Sequence, residues 1–64
     1  MVKEVGGRVF VLLDMRTERE NGKTLYVATV HEAKEDKVEK TGNGYGHTKE
    51  EAFNDAVTNL LSSS

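Results

Sequence analysis

His31, His47 and the adjacent carboxylates Glu50 and Glu51 are the side chains best suited to acid–base or metal chemistry in this chain. Their spacing gives them little to work with. A nucleophilic triad needs a hydroxyl or thiol, a base, and a group that orients the base. The chain has no cysteine, and its serines are Ser62, Ser63 and Ser64. His31 and Glu32 are neighbours on a strand and face opposite sides of it. His47 and Glu51 can meet across one helical turn, but two ligands make a poor metal site. Glu50 and Glu51 point about 100° apart on a helix, which keeps them from sharing a proton. They read as first-turn carboxylates that complement the helix dipole. These patterns point away from an enzyme, and neither a cofactor nor a metal is expected.

The glycines Gly42, Gly44 and Gly46 precede a helix start, where free N–H groups and the dipole attract anions. One reading is therefore a phosphate cradle. The run from Gly42 to Lys49 lacks the full spacing of a phosphate loop, and Glu50 and Glu51 would repel the anion. The competing reading is that the glycines permit a bulge or a close helix approach.

The elements that would carry these residues can be read in order. Arg8 to Arg16 is rich in β-branched and aromatic residues and predicts a strand. Simple alternation places Val9, Val11, Leu13 and Met15 on one face and Phe10 and Leu12 on the other. Both faces are then apolar, unlike a strand with one wet face. Thr17 to Lys23 reads as a polar connection around the hairpin signal Asn21-Gly22. Thr24 to Ala33 is a second strand, Lys34 to Lys37 a charged turn, and Val38 to Gly46 a third strand weakened by its glycines. Thr48 starts a helix through a capping box: its hydroxyl accepts from Glu51 N–H while Glu51 reaches back to Thr48 N–H. Ala52, Phe53, Ala56, Val57, Leu60 and Leu61 form one apolar stripe, opposite Glu50, Asn54, Asp55 and Thr58.

Bulk properties bound the possibilities. At 64 residues the chain is one domain with a small core. No disulfide can staple it, and small domains often gain missing burial by oligomerising. The net charge of −2, from 9 basic and 11 acidic residues, runs against strong nucleic-acid binding. The first residues lack the apolar run of a signal peptide, and no stretch approaches the ~20 apolar residues of a membrane span. A cytoplasmic location without membrane contact is the expectation.

Gly44-Tyr45-Gly46-His47-Thr48-Lys49-Glu50-Glu51-Ala52-Phe53-Asn54-Asp55-Ala56 resembles the C-terminal part of double-stranded-RNA-binding domains. That family runs helix, three antiparallel strands, helix. Its last helix follows a glycine-containing strand end, a serine cap and paired lysines. Thr48 stands at the cap, Lys49 at the first lysine, and Ala52 and Ala56 at the small residues that let the helix sit close to the sheet. The resemblance covers roughly Thr24 to Leu61. It departs at Glu50 and Phe53, which replace lysines, at the missing first helix, and at Thr17 to Lys23, which replaces a histidine-containing loop. Antitoxin domains with a partial version of this fold, and integrase arm-binding domains, are similar in outline. The resemblance implies the fold and, of the family's contact positions, only Lys49. Read from the residues themselves, the loop with Arg16, Arg19 and Lys23 could touch a nucleic-acid backbone, although Glu18 and Glu20 largely cancel its field; Tyr45 could stack on a base, and His47 adjoins Lys49.

The expectation is an α+β domain, a three-stranded antiparallel β-meander followed by one C-terminal helix packed on one sheet face. The leader 1–7 is loose, the sheet spans 8–46, the helix 48–61, and 62–64 frays. One helix covers one face, so Phe10, Leu12, Tyr26 and Val30 are candidates for an exposed patch that meets a partner. A non-catalytic module that forms a homodimer or binds a protein partner leads; weak RNA or DNA binding is the alternative.

Overall fold

The structure, a computed structural model, describes residues 1–33 and 40–63. Strands β1 (Val2–Val5), β2 (Arg8–Glu20), β3 (Lys23–Ala33) and β4 (Thr41–Gly46) precede helix α1 (Lys49–Ser62). The strands form one four-stranded antiparallel sheet in the order β1-β2-β3-β4. The α+β architecture is the expected one, with an added strand.

That strand is the leader. Residues 1–7 are not loose: Val2-Lys3-Glu4-Val5 pairs with Val11 back to Arg8. The turn is Gly6-Gly7, with φ values of 56° and 81°. Two consecutive left-handed residues make the tight turn whose twist matches that of the flanking strands, and glycine adopts it without steric cost. Asn21 (φ 52°) and Gly22 (φ 76°) repeat this geometry between β2 and β3. So short a turn pairs its flanking residues at once. Glu20 faces Lys23, Arg19 faces Thr24 and Glu18 faces Leu25. The segment Thr17 to Lys23, expected as a polar connection, is therefore strand up to Glu20 despite its charged side chains. Val38, the expected start of the last strand, and the expected turn Lys34–Lys37 lie outside the described residues.

A bulge in β2 rearranges its faces. Leu12 pairs with Val30 and Asp14 with Thr29, so Leu13 is the extra residue. A bulge places two residues opposite one and shifts the alternation by one position. Phe10, Leu12 and Met15 consequently all pack into the core below the helix. Alternation alone had put Met15 on the side opposite Phe10. Leu13 is left 55% exposed.

The core consists of Phe10, Ala28 and Val30 from the sheet and Ala52, Phe53, Ala56, Val57 and Leu60 from α1, with Val5, Leu12, Met15, Tyr26 and Leu61 packed against it. This corrects the expected partner patch. Phe10 and Val30 are fully buried, and Leu12 and Tyr26 are half-buried against the same cluster. The helix covers the face they occupy.

The helix begins as its capping residues dictate. Thr48 Oγ1 accepts from Glu51 N–H at 3.1 Å. Glu51 Oε1 accepts from His47 N–H at 2.9 Å, one residue earlier than the simple capping box. At the other end the helix runs through Ser62 rather than fraying there, and Ser63 Oγ donates to the Leu60 carbonyl at 2.9 Å. That hydroxyl occupies one of the carbonyls a helix end leaves open.

β4 lies directly beneath α1. A Cβ on Gly44 would stand 2.1 Å from Ala56 N and 2.5 Å from Ala52 O. One on Gly46 would meet Glu51 Cβ at 2.5 Å and Ala52 N at 2.7 Å. At Gly42 the nearest atoms, Ala56 O and Leu60 Cβ, are at 3.0 Å. The glycines are thus a bed for the helix backbone, with Ala52 and Ala56 as the facing small residues.

These contacts and the Thr48 cap set the cost of three substitutions. Gly44→Ala should cost at or above the upper end of the ~1–3 kcal/mol typical of overpacking, because backbone atoms block the new methyl group. Gly42→Ala should cost less. Urea denaturation checks both, and equal midpoints for the two variants would show that the helix does not rest on Gly44. Thr48→Ala should lose ~1 kcal/mol, the usual loss for a removed N-cap, read as a lower urea midpoint at unchanged slope.

Candidate interaction surface

The sheet face away from α1 has no described element over it. Cross-strand register assigns its residues: Val2 and Glu4 from β1; Val9, Val11, Asp14, Arg16 and Glu18 from β2; Leu25, Val27, Thr29 and His31 from β3; Thr41, Asn43 and Tyr45 from β4. Val27 is 2% exposed although it lies on this open side. Its direct cross-strand neighbours are Arg16 and Tyr45, and such neighbours sit close enough to cover a small side chain. Tyr45 itself is 55% exposed and Val2 68%. Thr29 Oγ1 donates to Asn43 Oδ1 at 2.7 Å. Arg16 Nε lies 3.6 Å from Asp14 Oδ2, and an ion pair this exposed contributes at most ~1 kcal/mol.

The residues named as nucleic-acid contacts do not gather in one place. Arg16 and Tyr45 flank Val27 on the open face, and Lys23 is at the hairpin turn. Arg19 pairs with Thr24 on the other face of the ribbon. His47 Nδ1 lies 3.3 Å from the Thr24 carbonyl, and Lys49 is exposed at the helix start. The glycine series offers no phosphate cradle, because the backbone of α1 fills the space beside it. Among the described residues, no three histidine or carboxylate side chains come together in a way that could hold a metal ion.

On the helix side, Glu32 is buried at 6% exposure and is met by Arg8 through two bonds, Nε to Oε2 at 2.9 Å and Nη2 to Oε1 at 2.8 Å. The guanidinium also lies 5.5 Å from the centre of the Phe10 ring. A buried carboxylate needs such a partner, since leaving it unpaired forfeits its hydration without return. The hydrogen bond to Glu32 raises the Arg8 pKa, partial burial opposing it and the carboxylate's charge adding to it. A raised pKa on a base contributes stability below its unfolded value and loses it only as pH climbs past it. Arginine titrates so far above neutrality that Arg8 stays charged at every physiological pH. Glu32 and His31 point to opposite faces, as strand alternation requires.

Sequence reasoning missed two further residues. Asp55 Oδ2 accepts from Tyr45 N–H at 2.9 Å, and Asn59 Nδ2 donates to the Asn43 carbonyl at 2.7 Å. Both backbone groups belong to the outer edge of β4, so the helix closes the edge it overhangs. The apolar stripe puts Asp55 on the solvated side of the helix, together with Asn54, whose Oδ1 accepts from Lys3 Nζ at 2.9 Å. The i, i+4 spacing of Asp55 and Asn59 beside Ala52 and Ala56 was the available signal. Its meaning depends on which strand lies below.

No protein-family model, curated protein or solved structure matches the chain. No described helix is long and apolar enough to cross a membrane.

Proposed function

We propose that this chain is a small non-catalytic interaction module that associates with a second copy of itself. One observation carries the reading: among the described residues a single helix shields one side of a four-stranded sheet, and the other side displays Val2 and Tyr45 with no described element over them. A domain of this size has little burial to spare, and association recovers part of it. The expected interface residues Phe10 and Val30 are spent in the core, so the contact must use the open face or an edge. Light scattering at micromolar concentration should give about twice the 7.1 kDa chain mass. A monomer mass maintained across that range would overturn the proposal.

The second reading is nucleic-acid binding, in line with the resemblance to double-stranded-RNA-binding domains. Arg16 and Tyr45 on either side of Val27 favour it, since a cation and an exposed aromatic ring on one sheet face suit a phosphate and a stacked base. Lys49, Arg19 and His47 lie elsewhere, and Glu18, Glu50 and Glu51 are interspersed. Few phosphates can be neutralised by such a surface. Fluorescence anisotropy with duplex RNA and duplex DNA should show weak binding at low salt that disappears at physiological salt. Submicromolar binding at physiological salt, reduced by Lys49→Ala and Arg19→Ala, would make this the better reading.

A further inference from the structure

The two long edges of the sheet are finished differently. The β4 edge carries the Asp55 and Asn59 clamps on Tyr45 N–H and the Asn43 carbonyl. The opposite edge belongs to β1 over only part of its length. β1 pairs with β2 across Arg8 to Val11, and one more bond runs from Leu12 N–H to the Met1 carbonyl at 2.9 Å. Among the described residues no strand lies beside Met15 to Glu20 on that side.

The direction of the free backbone groups follows from the hairpin. Glu20 and Lys23 flank a two-residue turn and exchange hydrogen bonds across it. Counting back in twos, Glu18, Arg16 and Asp14 also face β3 with their backbone groups. The N–H and C=O groups of Met15, Thr17 and Arg19 therefore point out along the open edge.

We infer that a second copy pairs antiparallel with this edge about a two-fold axis at Thr17, joining the two sheets into one. The inference rests on the reading of the chain as self-associating and names the surface used. A two-fold axis there places Thr17 opposite Thr17, Met15 opposite Arg19 and Arg16 opposite Glu18, each of the last two twice. Threonine pairs and opposite charges are favourable cross-strand neighbours. The ends bring Asp14 opposite Glu20, where Asp14 keeps Arg16 at 3.6 Å. Neighbouring registers are worse. An axis at Arg19 opposes Arg19 to itself and Glu18 to Glu20. An axis at Met15 drives the partner's hairpin into Met1, which already occupies the edge at Leu12. Charged residues on an edge ordinarily discourage pairing. Here they alternate in sign, so one register turns repulsion into complementarity, and β1 bars the slip in one direction.

A dilution series by sedimentation or light scattering tests this with three kinds of variant. Thr17→Pro removes an N–H that points outward and leaves the pairing of β2 with β3 intact, as proline does on an edge. It should abolish the dimer while keeping the monomer's circular dichroism. Arg16→Glu and Glu18→Arg alone should each raise the dissociation constant roughly tenfold by opposing like charges. Arg16→Glu combined with Glu18→Arg restores opposite pairs and should return it close to the starting value. The charge variants alter no backbone group, so they decide the matter even if Thr17→Pro fails to fold. A dimer indifferent to these changes, or a double variant no better than the single ones, overturns the edge while self-association stands. A parent chain monomeric throughout overturns both.

Discussion

The contact of Gly44 with the backbone of α1 is the constraint on which the rest of the structure depends. Any side chain at that position would occupy the space of Ala56 N and Ala52 O. Removing three side chains from β4 lets the helix lie on the strand itself, and the alanines complete the fit from above. Close approach brings the side chains flanking the alanine stripe within reach of the strand's outer edge. Asp55 and Asn59 can bond to Tyr45 and Asn43 only because the helix is this near. The same approach fixes where Phe53, Val57 and Leu60 descend onto Phe10 and Val30. A small domain gains from this economy, because burial per residue is limited by its size.

The bulge at Leu13 is the second constraint. β2 is long enough to pass beneath the helix and project beyond it. Without the extra residue, Met15 would emerge on the side opposite Phe10 and Leu12, and the core would end sooner. With it, the helix-side row continues from Phe10 and Leu12 to Met15, and the misfit is expressed as an exposed leucine. A bulge also increases local twist. The register beyond it is held by the Asn21-Gly22 turn, so the projecting ribbon keeps a defined pairing although it is largely polar.

Edges then decide how such a sheet can meet its surroundings. Unpaired N–H and C=O groups are templates for another strand. The helix deals with one edge through two side-chain hydrogen bonds, and β1 deals with part of the other. The open remainder, from Met15 onward, bears charges of alternating sign. A sheet capped on one edge and partly open on the other can grow in one direction and stop, which gives a closed pair in place of a fibre when the pairing is two-fold.

The sequence alone determined the helix and the tight turn at Asn21-Gly22. Thr48 with Glu51, the stripe Ala52-Phe53-Ala56-Val57-Leu60-Leu61 and the dipeptide Asn21-Gly22 act through neighbours within a few residues, so their meaning does not depend on the rest of the fold. Gly6-Gly7 is equally local, yet the leader before it reads as loose, because Val2-Lys3-Glu4-Val5 is too short and mixed to announce itself without its partner β2. Tertiary structure decided the remainder. Period-two alternation is a local rule, and the bulge that broke it is specified by matching Leu12 to Val30 and Asp14 to Thr29 across a hairpin. Which apolar residues of β2 and β3 were buried depended on which face the helix chose, and the glycines of β4 made that choice. The open face and the open edge were illegible for the same reason. A surface left uncovered is defined by every element that goes elsewhere, and only the assembled fold says where those elements went.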